Sequence, residues 1–333
     1  MDPSWRTAAL PAGLTHRPPV PADAALILPL VVACDVRVLD RSDATLSQVR
    51  SDLATPAADN ERGGRLVQDA SGAAVGWLWT EVRTAASEAF VDLYALDDAV
   101  LSWLLGQAFD FLDLLATEWG RPVRVAAGSY QHDGEYGAAL RSAGFEVVRS
   151  FWHMRRSLDG VSPEPSAPAA GVSVRLADAT DEADRRLLHR VHDEAFADHW
   201  HHTSLPFEDW YARLDASAGR NVDQWWVAEV DGEPAGLLIG ADALAELGEG
   251  YVDILGVLRA HRGRGVAKTL LANAFADAVR RGRSHIMLGV DSESPTGATR
   301  LYESVGMSVD KVLLAWERQV APSGSFAPGA VGP

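Results

Sequence analysis

Three short strings recur, in the same order, in both halves of the chain. Glu88-Ala89-Phe90-Val91-Asp92-Leu93 is echoed by Glu249-Gly250-Tyr251-Val252-Asp253-Ile254. Leu104-Leu105-Gly106-Gln107-Ala108-Phe109 is echoed by Leu270-Leu271-Ala272-Asn273-Ala274-Phe275. Ala138-Ala139-Leu140-Arg141-Ser142-Ala143-Gly144-Phe145 is echoed by Arg300-Leu301-Tyr302-Glu303-Ser304-Val305-Gly306-Met307. A chain that repeats itself over this distance is restricted to two copies of one unit. With 333 residues, 47% of them hydrophobic, it can give each copy its own core.

Strand-like and helix-like segments alternate, so the expected fold is α/β in two tandem domains. In the first half, Leu26 to Leu39 reads as an apolar strand region containing the single cysteine, Cys34. Asp43 to Leu53, Ala99 to Trp119 and Glu135 to Ser142 read as helices. Arg65 to Gln68, Val75 to Thr80, Phe90 to Leu96, Val123 to Ala126 and Phe145 to Met154 read as strands. In the second half, Glu182 to Phe196, Pro206 to Ala216, Val266 to Arg280 and Ala298 to Val305 are expected helices. Val172 to Leu176, Trp225 to Val230, Pro234 to Ala241, Tyr251 to Val257 and Ile286 to Val290 are expected strands. Gly160, Pro163, Pro165 and Pro168 mark a linker over 159–171. The expected boundaries are therefore a loose segment at 1–20, domains at 21–158 and 172–320, and a disordered tail at 321–333.

The halves differ where chemistry would lie. In the second, the strand Tyr251 to Val257 runs into the basic loop Arg259 to Gly265 and then a helix. Gly263 and Gly265 let the backbone approach a ligand, and the helix start presents unsatisfied N–H groups and the positive end of its dipole. Arg259, Arg262, Arg264 and Lys268 add positive charge, so the loop suits a pyrophosphate. It is not a Walker loop, because Lys268-Thr269 follows too closely, and it lacks the third glycine of a dinucleotide fingerprint. In the first half, nine positions separate Ala95 from Leu104, against fourteen between Gly256 and Leu270. The missing residues are those of the glycine–arginine loop, replaced by Leu96-Asp97-Asp98, whose two carboxylates would repel a pyrophosphate.

The Arg262-Gly263-Arg264-Gly265-Val266-Ala267 loop resembles motif A of the GNAT superfamily of N-acetyltransferases, and Pro295 to Met307 resembles its motif B. The repeat is similar to the tandem, mycothiol synthase-like branch of that superfamily. The resemblance implies two GNAT-like domains, each an α+β mixed sheet and the N-terminal one degenerate, with acetyl-CoA bound by the C-terminal one. Arg262, Gly263, Arg264, Gly265, Val266, Ala267 and Lys268 would hold the pyrophosphate. Leu255, Gly256 and Val257 would contact the carbonyl and pantetheine, with Ser294 and Thr296 nearby. Many family members have asparagine where Ser294 stands, and its hydroxyl is shorter and offers one donor only.

The implied reaction is direct attack of a small-molecule amine on the thioester. Tyr302 occupies the place of the family's acidic tyrosine; a phenol is protonated at neutral pH and can donate to a departing thiolate. Glu249 and Asp253 are candidate bases, although Glu88 and Asp92 hold the same places in the half that lost its loop. His199, His201 and His202, with Trp200 and Trp210, fall where acceptor sites lie in the family, and can take a proton, bind a metal or pack a seam. No acidic or cysteine partner at fixed spacing supports the metal.

The net charge of −16 argues against nucleic acid as a partner, and no apolar run suggests a membrane span. The start lacks a signal-peptide pattern, and a single cysteine fits a reducing, cytoplasmic setting. The alternatives to small-molecule acetylation are protein acetylation and a non-catalytic acyl-CoA sensor. Oligomeric state is not encoded in any pattern found.

Overall fold

The computed structural model describes residues 4–199, 202–217, 219–294 and 297–322. In chain order the elements of the first half are β1 (Thr15–Arg17), α1 (Ala24–Leu39), α2 (Leu46–Ala54), β2 (Arg65–Gln68), β3 (Ala74–Arg83), β4 (Glu88–Ala95), α3 (Asp98–Trp119), β5 (Val123–Tyr130), α4 (Gly134–Ser142) and β6 (Glu146–Ser157). Those of the second are β7 (Val172–Leu176), α5 (Glu182–Phe196), α6 (Phe207–Asp215), β8 (Arg220–Val230), β9 (Glu233–Ala241), β10 (Glu249–Val257), α7 (Val266–Arg280), β11 (His285–Asp291), α8 (Ala298–Ser304) and β12 (Ser308–Val320).

Two compact units result, Met1–Ser150 with Leu313–Pro333, and Phe151–Val312. In the first, the strand order is β1-β2-β3-β4-β5 followed by the end of β12. Leu313 to Val320 pair antiparallel with Tyr130 to Val123, and β4 with β5 is the parallel pair. In the second the order is β6-β11-β10-β9-β8-β7, with β10 and β11 parallel. Each unit is therefore a mixed sheet.

This division corrects the expected boundaries of 21–158 and 172–320. Phe151 to Ser157 pair with β11 and belong to the second unit, whereas Leu313 to Val320 belong to the first. The segment 159–171 is docked on the second unit rather than a bare linker. The Ala169 N–H donates to Thr269 Oγ1 at 3.2 Å, and Arg280 Nη1 donates to the Pro163 carbonyl at 2.7 Å. Nor is the described part of 1–20 loose. Trp5 is buried with its ring 4.5 Å from that of Phe109, and β1 pairs with β2. Of the tail at 321–333, residues 323–333 lie outside the described residues.

Leu26 to Leu39 is not a strand but most of α1. Its buried residues Ile27, Leu30, Val31 and Asp35 follow the 3.6-residue period, which the surrounding apolar residues masked. Cys34 lies on this helix, and burial pushes its thiol up to about 11, in keeping with an inert packing residue. By length and composition α3 could cross a membrane, contrary to the sequence reading. Leu104, Phe109, Leu112 and Leu115 on it are instead buried in the core of the first unit. Its partner in the repeat, α7, buries Val266, Leu270, Leu271 and Phe275 in the core of the second.

Candidate functional site

β10 and β11 run side by side only from Glu249–His285 to Val252–Leu288. Past that point β10 follows β9 alone as far as Val257, with a register shift between Val252 and Ile254 that leaves Asp253 at a bulge. The parting strands open a wedge holding a cavity of about 730 Å³. Leu255, Gly256 and Val257 line it from β10, Leu288 to Asp291 from β11, and Tyr302 from α8.

The mouth of the cavity is the loop into α7. Gly263 and Gly265 adopt φ of 77° and 82°, values open to glycine at little cost. Gly265 is the N-cap of α7 and offers no side-chain cap, so the N–H groups of the first turn have no partner from a capping residue. Val266, Ala267 and Lys268 of that turn all border the cavity, which makes its mouth an anion site. A Cβ on Gly265 would stand 2.6 Å from that of Ala169, so the docked segment 159–171 also requires glycine here.

The loop arginines divide in role. Arg262 borders the cavity but spends its guanidinium on the loop, donating to the carbonyls of Val257 and Ala195 at 3.3 Å each. Arg264 turns away and pairs with Asp231 at 2.8 Å, and Arg259 pairs with Asp198. Arg264, expected at the pyrophosphate, is therefore not among the lining residues, whereas Lys268 is.

Tyr302 is 7% exposed, and burial pushes its hydroxyl up to about 12, so it stays protonated through the neutral range. Asp253 opens onto the cavity, with no hydrogen bond or ion pair among the described residues. Its enclosure by protein raises the carboxyl above the usual aspartate range. Glu249 does not join them. It is buried away from the cavity and holds Arg155 by two contacts of 2.5 and 3.2 Å. Glu88, its counterpart in the first unit, likewise pairs with Arg124, so this acid serves the sheet in both copies.

Among the acceptor-side candidates, His199 lines the cavity together with Phe196 and Asp198. His202 instead contacts Asp193 at 3.1 Å, and Trp210 is buried behind it. His192 packs beside both; burial pushes its imidazole down to about 4 and leaves it neutral. Ser294 borders the cavity, whereas Thr296, Trp200 and His201 lie outside the described residues. Among the described residues no group of His, Cys, Asp and Glu could hold a metal ion. Phe151, Gly289 and Asp291 were not foreseen. Phe151 was assigned to the other domain, but a glycine inside an apolar strand is itself a signal of close approach.

Residues 185–307, which contain the loop, Asp253 and Tyr302, match the acetyltransferase (GNAT) family. The second unit carries a GNAT domain. A mycothiol acetyltransferase from Thermobispora bispora is 33% identical over 203 residues, which is 57% of this chain and 63% of that protein. Another from Catenulispora acidiphila is 25% identical over 239 residues, 70% of this chain and 73% of its own length. The match to the first of these thus spans less than two thirds of the relative. Among solved structures, a GCN5-related N-acetyltransferase from Sphaerobacter thermophilus superposes with a TM-score of 0.78 at 27% identity, covering 96% of this chain and 99% of that one. A tandem GNAT protein from the clavulanic acid biosynthesis pathway gives 0.72 at 16% identity over 93% and 99%, a likeness of fold that extends over both units.

Proposed function

We propose that the GNAT domain transfers the acetyl group of acetyl-CoA to the amine of a small molecule. One observation carries this reading: an uncapped helix N-terminus opens onto a cavity that ends at a protonated tyrosine and a carboxylate with no partner among the described residues. The first-turn amides of α7 and Lys268 hold the pyrophosphate, and the end of β10 guides the pantetheine arm into the wedge. The acceptor nitrogen attacks the thioester carbon, the carbon–sulfur bond breaks and its electron pair moves to sulfur. Tyr302 donates a proton to that sulfur, and Asp253 takes the proton lost by nitrogen. Negative and open to the cavity, Asp253 also favours an ammonium-bearing acceptor. The mycothiol acetyltransferases among the relatives support a small molecule of that class over a protein.

The first unit is, in this reading, a degenerate copy without turnover. Asp97 occupies the N-terminus of α3, accepting from the N–H groups of Ala99 and Val100 at 2.9 and 3.1 Å. Release of free thiol from acetyl-CoA in the presence of a panel of small amines tests the activity. Tight acetyl-CoA binding with no thiol release for any amine would favour a sensor instead.

A further inference from the structure

Gly289 sits in the middle of β11, an inner strand flanked by β6 and β10, yet it is exposed while Leu288 and Val290 beside it are buried. Its backbone does not require glycine, since its φ is not positive. Packing does not require it either. A Cβ there would meet its nearest neighbours, His153 Nε2, His153 Cδ2 and Tyr251 Oη, at 3.9 Å each, which is ordinary contact. Glycine weakens a strand interior, and where neither backbone nor packing calls for it, it is a mark of close approach by a ligand.

The same distances place an imidazole nitrogen and a phenol oxygen 3.9 Å from one spot, where a side chain on the cavity-lining Gly289 would begin. His153 reaches it from β6, in register with Gly289, and Tyr251 from β10. Phe151 and Asp253, two residues along the same strands, line the cavity, so the spot lies on its acceptor side. His153 also lies outside residues 185–307, where no alignment of the domain alone would find it.

We propose that His153 and Tyr251 form a polar subsite over Gly289 that hydrogen-bonds an oxygen carried by the acceptor beside its amine. The subsite selects hydroxyl- or carbonyl-bearing amines over plain alkylamines. This rests on the acetyltransferase reading above. Each ring atom can donate or accept, so the pair can serve either kind of oxygen.

Ethanolamine and propylamine, equal in length and differing in one hydroxyl, probe it on the full-length chain. Tyr251→Phe and His153→Leu are each expected to lower kcat/KM for ethanolamine about ten-fold, the worth of one hydrogen bond, and to leave propylamine unchanged. Taking each amine as a ratio of wild type to variant cancels their difference in basicity. Gly289→Val is expected to raise KM for both amines while calorimetry shows acetyl-CoA affinity unaltered. Equal losses for the two amines in Tyr251→Phe, or no loss, would overturn the subsite. Should neither amine be acetylated, the transfer reading is judged by the wider amine panel above. The subsite is then decided by calorimetry of ethanolamine on the CoA-loaded protein, where ten-fold weaker binding to Tyr251→Phe supports it and equal or undetectable binding contradicts it.

Discussion

The N-termini of α3 and α7 occupy the same place in two copies of one fold, and they have opposite chemistry. At α3 the Asp97 carboxylate takes the free N–H groups for itself. At α7 a left-handed glycine leaves them open at the mouth of a cavity. Further positions repeat the contrast. Asp92 is engaged by the Tyr94 hydroxyl at 2.8 Å, whereas its counterpart Asp253 has no partner among the described residues. Leu140 is fully buried where the other copy has Tyr302. What the copies share is what builds a sheet: the Glu–Arg pair at the start of β4 and β10, and the parting of a parallel strand pair. In the proposed reading, a few residues at one helix end and one strand bulge separate a support from a site built on the same frame.

The largest effect is expected from closing the open end. Gly265→Val forces a β-branched residue into positive φ, a strain of about 1–3 kcal/mol, and drives its side chain into Ala169. Acetyl-CoA affinity should fall about a hundred-fold or more by calorimetry. Unchanged affinity would remove the loop from the cofactor site. Next comes the tyrosine that the first unit lacks. Tyr302→Phe keeps the ring and should leave acetyl-CoA affinity intact, but lower turnover by about ten- to ten-thousand-fold. The loss should shrink with a donor whose thiol is more acidic; an equal loss with both donors would indicate positioning.

Asp253 sharpens the comparison through pH. It must be ionised to accept a proton, and its carboxyl is raised, so activity should fall on acidification at a pH above the usual aspartate value of about 3.9. Asp253→Asn should lower turnover and abolish that acid limb. A variant profile parallel to the wild type would assign the limb to another group. The smallest effect belongs to the first unit. Asp97→Ala removes a helix cap and should cost about 1 kcal/mol of stability without changing turnover. A loss of acetyl transfer would show that the first unit does more than support the second.

Much of this site was legible before the structure. The loop glycines, expected for close backbone approach, adopt positive φ, and α5 and α7 begin and end at the expected residues. Patterns within about twenty residues determine such features. α1 was misread because apolar residues crowd all its faces, so period 3.6 and a buried strand look alike. β12 was not foreseen, since its partner β5 lies far back in the chain, and buried Lys311 interrupts the alternation of apolar residues. The pairing of Glu249 with Arg155 and the turning of Arg264 to Asp231 are long-range choices too. Position in the repeat and in the loop named these residues as candidates; only the fold assigned them elsewhere.

The central claim, that one helix end binds and its twin cannot, is tested most directly by the stoichiometry of acetyl-CoA on the full-length chain. Isothermal titration should give one site per chain, weakened about a hundred-fold or more in the Gly265→Val variant. Two equivalent sites, or one site whose affinity is unchanged by that substitution, would contradict the account.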